Sequence, residues 1–319
     1  MLIVMRNKKS FVKASVFISV VAVFFVAGFL TSTVRNSSSN TKYPLIARRA
    51  QADNPNELHV NFSPLRTSLE SYISGLAEDS DKVSVYFEYL PTGVSININE
   101  TNESIAASLM KVPTVMTLYH AAREGKIDLD KKVKLKQEWL NDEYGSLYKK
   151  GVGYEISLRE AAELTLKDSD NTAILLIFDE LDELANEDSN ITKYLDLEYE
   201  VNSDERVLIG ARSYSSIMKC LYFACYNTNE DSQEILSYLT ESVFDNRLEL
   251  QLPDDLQVAH KIGTFSTKFQ SDCGIFYVPD KNYLLCVMVE GEDPKASAII
   301  STISTKVYQY ISTKVTTTE

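Results

Sequence analysis

Three short stretches carry side chains that together can do chemistry. Ser108 and Lys111 stand three residues apart in "SLMKVP", a spacing that stacks two side chains on one face of a helix. A serine hydroxyl is a poor nucleophile until a base takes its proton, and a neutral lysine one turn away can take it. Lysine in water keeps its proton to about pH 10.4, so such a base must be desolvated or face other cations. Ser169-Asp170-Asn171, in "DSDNT", opens a strongly apolar stretch, where Ser169 and Asp170 can also cap a helix. Lys261-Ile262-Gly263-Thr264, in "HKIGT", lies on a strand-like stretch and brings a second lysine. By itself the Ser–Lys pair is an ordinary helix feature. The other two stretches give it meaning.

S-x-x-K, S-D-N and K-x-G in this order resemble the signature set of class A β-lactamases and penicillin-binding proteins. From about 60 to 312 the chain is similar to a class A β-lactamase-type serine hydrolase. The resemblance implies that Ser108 is the nucleophile and that Lys111 is the acylation base or part of its proton path. Ser169 would pass a proton to the departing nitrogen, and Asn171 would hold Lys111 and the amide side chain of the substrate. Lys261 would supply positive charge near Ser169 and the substrate carboxylate, with Gly263 and Thr264 beside it. The backbone N–H groups of Ser108 and of a residue near Thr264 would form an oxyanion hole, typically worth ~3 kcal/mol per donor. Tyr144, in the loop ahead of S-D-N, would be an aromatic wall of the cleft, and Asp170 would be structural. No cofactor and no metal are implied.

The pattern departs from the family in two places. Ile262 stands where a Thr or Ser is usual, which removes one hydroxyl donor for a carboxylate; Thr264, two residues on, keeps a hydroxyl on the same strand face. The following strand holds no arginine, and Lys268 is the nearest cation in sequence. Class A enzymes also place a glutamate in an E-x-x-L-N loop to activate the deacylating water. "LEYEVNSDER" offers Glu198-Tyr199-Glu200-Val201-Asn202, with Val for Leu and a short gap from Asn171. Glu198 is therefore expected as the deacylation base, with Glu200 and Glu205 as alternatives. The expected activity is acylation of Ser108 and hydrolysis of the acyl-enzyme, on β-lactam amides. A D,D-peptidase-type penicillin-binding enzyme and a catalytically weak, wall-facing binding protein are the alternatives.

The elements that must position these residues follow from periodicity. A helix is expected over 65–77, a hairpin from 82–90 and 94–100 around "PTG", and a helix from about Ser108 to Glu124. "KQEWLNDEY" and 157–168 read as mostly helical, the latter opened by a Ser157/Glu160 capping box. Further helices are expected over 170–185, 213–226 and 232–244, then strands over 256–264, 271–279 and 282–291, then a helix over 295–311. This order predicts an α+β fold: an antiparallel five-stranded sheet packed with N- and C-terminal helices, an all-α lobe, and the active site in the cleft between them.

The remaining sequence bounds location and partners. Basic residues precede a charge-free apolar run over 14–34, long enough to cross a bilayer core of ~30 Å. The expected organisation is a cytoplasmic basic segment (1–13), a transmembrane anchor or signal (14–34), a polar linker (35–57) and an extracytoplasmic domain (58–319). A cleaved signal peptide, giving a secreted enzyme, is the rival. The chain has formal net charge −13; since 1–35 holds five basic and no acidic residues, the remainder carries −18. Such a surface argues against nucleic acid and anionic lipid. The expected partners are a small-molecule β-lactam or a peptidoglycan stem peptide, the membrane through the N-terminal helix, and no second copy. The four cysteines show no metal spacing and are expected as buried free thiols, with Cys273 and Cys286 able to face each other across a hairpin.

Overall fold

The computed structural model describes residues 60–182 and 191–314. The expected basic segment, anchor and linker lie outside the described residues. Among the described residues no helix is long and apolar enough to cross a membrane.

In chain order the elements are α1 (Ser63–Ser74), β1 (Val83–Tyr89), β2 (Val94–Ile98), β3 (Glu103–Ile105), α2 (Lys111–Arg123), β4 (Lys132–Lys134), β5 (Glu155–Ser157), α3 (Leu158–Lys167) and α4 (Asn171–Asp182). They continue as α5 (Ile191–Tyr194), β6 (Glu200–Val201), β7 (Val207–Gly210), α6 (Ala211–Tyr222), α7 (Asn229–Thr240), β8 (Val258–Phe265), β9 (Phe269–Phe276), β10 (Tyr283–Glu290) and α8 (Lys295–Lys314). The main sheet has five strands in the order β2-β1-β10-β9-β8, all antiparallel. The expected α+β plan is the observed one.

Alternation along the strands builds two cores. On β1, Val83, Val85, Phe87 and Tyr89 pack with Leu65 and Leu69 of α1 and Ile300, Ile303 and Val307 of α8. Tyr86 of β1 and Leu284, Cys286 and Met288 of β10 turn the other way, toward the helical lobe. Because both faces are covered, all seven residues of β1 are buried, its glutamate included. Glu88 is held there by the Tyr86 hydroxyl at 2.6 Å and by Lys219 at 3.0 Å.

Four expectations need correction. Ser108 is not inside an α-helix: Ala107–Met110 is a 3-10 turn, and α2 starts at Lys111. "KQEWLNDEY" supplies only the 3-10 turn Gln137–Trp139 before a loop. Two small sheets, β3-β7-β6 and β4-β5, join segments too short to show alternation. The cysteines are not free thiols: Cys273–Cys286 bridges directly paired residues of β9 and β10, and Cys220–Cys225 closes the turn that ends α6. The capping box at Ser157 and Glu160 forms as read, with both reciprocal bonds present.

Candidate active site

The Ser108 turn is positioned by strained backbone and by an absent side chain. Ala107 adopts φ 46°, a left-handed conformation that swings the chain from β3 into the turn. The turn then presses on β8. A Cβ at Gly263 would lie 2.4 Å from Ser271 Oγ and 2.9 Å from the carbonyl oxygen of Ala106, so only glycine permits this approach. Tyr214 of α6 braces the turn by donating to the Leu109 carbonyl at 3.1 Å. Ser108 itself is half-buried.

Lys111 enters the site from the first residue of α2 and is only 6% exposed. Its ammonium donates to Asn171 Oδ1 at 2.7 Å, to the Ser169 carbonyl at 2.6 Å and to Ser169 Oγ at 3.2 Å. Ser169 sits at φ 53° between α3 and α4. Burial pushes Lys111 down to about 8, against the opposing pull of the Asp170 and Glu143 charges.

Asp170 holds this junction together. Its Oδ2 accepts from the backbone N–H groups of Ser146 and Leu147, both at 2.8 Å, and its Oδ1 accepts from that of Ala173 at 2.9 Å. The loop is thereby tied to the start of α4, and Asn171 N donates to the Tyr144 carbonyl at 3.1 Å. Gly145, at φ 82°, lets the loop cross directly over this carboxylate.

Lys261, on β8, is 1% exposed, and its Nζ has no hydrogen-bond partner among the described residues. Burial lowers its pKa well below the ordinary value; the Lys111 and Arg247 charges lower it further, and Asp272 opposes them. Its Nζ lies 5.6 Å from the centre of the Phe244 ring, and that ring lies 6.3 Å from Tyr144. Thr264, half-buried on the same strand, accepts from Arg247 Nη2 at 2.8 Å.

Arg247 is the residue the sequence reading missed. The nearest cation in sequence, Lys268, is exposed in the β8–β9 turn. Arg247 instead arrives from the segment before β8 and is 3% exposed. It donates to the carbonyls of Gly263 and Ser271, at 2.9 and 2.8 Å, and to Gln270 Oε1 at 2.6 Å. No spacing rule links position 247 to 261, so no sequence signal was available. Asn141 and Glu143 were missed too: Asn171 Nδ2 donates to Asn141 Oδ1 at 3.1 Å and to Glu143 Oε2 at 3.4 Å.

No hydrogen bond, ion pair or charge effect joins Glu198 to this cluster among the described residues. Glu198 is exposed and lines a cavity of about 390 Å³ with Glu100, Leu197 and Arg212, a cavity that none of Ser108, Lys111, Ser169, Asn171 and Lys261 lines. The charges acting on Lys111 are those of Asp170 and Glu143. Glu200 and Glu205 are exposed as well, on β6 and in the turn after it. Among the described residues no group of His, Cys, Asp and Glu could hold a metal ion.

Ser108, Lys111, Ser169, Asn171 and Lys261 thus come from a turn, two helix starts and a strand, with a desolvated lysine bonded to the serine of S-D-N. Residues 65–311 match the family model described as "Beta-lactamase enzyme family". The chain belongs to that family. Its fold is that of the class A enzymes. Among similar solved structures, PBP-A has a TM-score of 0.70 at 23% identity, covering 78% of this chain and 96% of its own. A β-lactamase from Sphaerobacter thermophilus DSM 20745 has a TM-score of 0.69 at 18% identity, covering 79% and 98%. The TLA-3 extended-spectrum β-lactamase has a TM-score of 0.70 at 22% identity, covering 79% and 99%. No curated protein matches the chain significantly. Membership of the family makes the chain a β-lactamase-like serine hydrolase.

Proposed function

We propose that this domain forms an acyl-enzyme on Ser108 with β-lactam amides and hydrolyses it slowly. The observation that carries the reading is the contact of Lys111 with Ser169 and Asn171, in surroundings that lower the lysine toward neutrality. A neutral Lys111 takes the Ser108 proton as the hydroxyl oxygen attacks the lactam carbonyl. Ser169, bonded to Lys111, returns a proton to the departing nitrogen as the C–N bond breaks. Arg247 stands beside Thr264 at the β8 end of the cleft, and Thr264 supplies the hydroxyl that Ile262 lacks for the substrate carboxylate. Slow hydrolysis fits a Glu198 that makes no hydrogen bond or ion pair with Lys111, Ser169 or Asn171 and whose charge is not among those acting on Lys111. A PBP-A L158E mutant, similar at TM-score 0.69, is an acyl-enzyme complex with penicillin G, which is consistent with acylation in this fold.

A second reading, efficient β-lactam hydrolysis with Glu198 as base, is favoured by the E-x-x-V-N spacing. Mixing the domain with benzylpenicillin, followed by intact mass and by loss of lactam absorbance, separates the two. A long-lived adduct on Ser108 with slow turnover supports the first. Fast turnover with little adduct, and accumulation of adduct in Glu198→Gln, supports the second. No adduct and no turnover rejects both, leaving a peptidase or a binding protein.

For location, the proposal is an extracytoplasmic domain held by residues 14–34. Two disulfides fit an oxidising compartment. Recovery of the full-length chain in the soluble cell fraction would reject the anchor.

A further inference from the structure

Behind the cleft, β8 buries an ionisable group that the acylation chemistry does not use. His260 precedes Lys261, so the two side chains leave the strand on opposite faces. His260 and Asp272 are each at most 1% exposed, and His260 Nδ1 lies 2.8 Å from Asp272 Oδ1. Its Nε2 has no hydrogen-bond partner among the described residues and lies 3.7 Å from Glu249 Oε2. A neutral imidazole carries a single N–H, so one ring nitrogen would turn a bare lone pair to a carboxylate. Only the imidazolium suits both neighbours. Burial opposes a charge on the ring; the Asp272 carboxylate, its hydrogen bond and the Glu249 carboxylate outweigh burial and the Lys261 charge, and the His260 pKa is raised. Around this cluster, Asp245 bears on Glu249, and Arg247 pairs with Asp293 at 3.4 Å.

The same carboxylates grip the segment that reaches the β8 end of the site. Leu248 N donates to Asp272 Oδ2 at 3.1 Å, and Ser304 Oγ of α8 donates to the Leu248 carbonyl at 2.7 Å. Glu249 stands on one side of Leu248, and on the other stands Arg247, which donates to Thr264 Oγ1. Because Thr264 accepts that bond, its hydroxyl proton is free to donate to a substrate carboxylate. We propose that His260 is a positioning residue for acylation: its imidazolium clamps Glu249 and Asp272, holds residues 247–249 on β8 and β9, and so aims Thr264 at the substrate carboxylate. This rests on the acylation reading above. Loss of the ring proton leaves two carboxylates facing a neutral ring, and the segment loosens. The clamp is complete while His260 is charged and fails as rising pH removes its proton.

The test reads the ring and the reaction separately. The chain has three histidines, and NMR of the imidazole nitrogens, with His260 assigned through its backbone, reports its charge. His260 should still be charged at pH 7, where a free histidine of pKa ~6.5 is mostly neutral. Glu249→Gln alters the more exposed partner and should let the ring titrate at lower pH. Acylation followed against benzylpenicillin concentration from pH 6 to 9.5 separates the half-saturating concentration from the rate at saturation. As His260 loses its proton, the half-saturating concentration should rise about fivefold, the worth of roughly one hydrogen bond, while the rate at saturation follows Lys111. In Glu249→Gln that rise should move to lower pH together with the ring, a shift that a merely structural histidine would not produce. A ring neutral at pH 7, or a half-saturating concentration that stays constant while the ring titrates, overturns the inference alone. No acylation at any pH overturns the parent reading and, with it, the role given to His260.

Discussion

Lys111 is the residue on which acylation turns, because only its neutral form can take a proton. With its pKa pushed down to about 8, it is mostly charged in weak acid. Acylation by benzylpenicillin should therefore rise close to tenfold per pH unit below pH 8 and level off above it. Stopped-flow acylation rates across pH 5.5 to 9.5 check this; a flat profile would remove Lys111 from the proton path. Lys111→Ala should cost about 10²–10⁴ in rate, and Lys111→Arg should not restore it, since a guanidinium keeps its proton. The same shift bears on stability. Between pH 8 and 10.5 the unfolded chain binds a proton that folded Lys111 does not, so this group makes stability rise with pH. The difference between the native chain and Lys111→Met, measured by urea unfolding at both pH values, isolates that slope.

At the scale of elements, two junctions hold the site. The first is the contact of the Ser108 turn with β8 at Gly263. Gly263→Ala places a methyl 2.4 Å from Ser271 Oγ and 2.9 Å from both the Ala106 carbonyl oxygen and Leu109 Cγ, all within a buried contact. The turn must move off the strand, so acylation should fall at least tenfold (order of magnitude) while the fold survives. Acylation rates beside circular dichroism report both. The second junction is Asp170, whose carboxylate takes three backbone N–H groups while 1% exposed. Asp170→Asn turns an amide N–H₂ toward donors and should cost about 3 kcal/mol, read as a lowered urea midpoint. Acylation should drop as well, because the same bonds place the loop that carries Tyr144 and Glu143.

For the whole molecule, the sheet is the frame on which both lobes are built, and Cys273–Cys286 ties two of its three inner strands, β9 and β10, together. Cys273 is paired in register with Lys261, so the disulfide supports the strand pair that aims the buried lysine. Replacing both cysteines with alanine should lower stability by about 2–4 kcal/mol, measured as a fall in Tm. The thiol count of the native domain should be zero until reductant and denaturant are added. Opening Cys220–Cys225 should matter less, since it closes only a five-residue separation at the end of α6.

Periodicity and turn chemistry in the sequence were enough to determine the hairpin β1–β2, the strands β8 to β10, the terminal helices and the Ser157 cap, because each depends on residues close in the chain. The same holds for Ser108, Lys111, Ser169, Asn171 and Lys261 as candidates, since their types and order form a local signal. Tertiary structure alone decided that Lys111 is desolvated and bonded to Ser169 and Asn171, for burial depends on what packs around a side chain. It decided that Arg247 lies beside Thr264, that Glu143 faces Asn171, that Glu198 lines a cavity with Glu100 and Arg212, and that all four cysteines are bonded. Each of these joins residues from separate elements, and nothing in linear spacing encodes a distance across a fold.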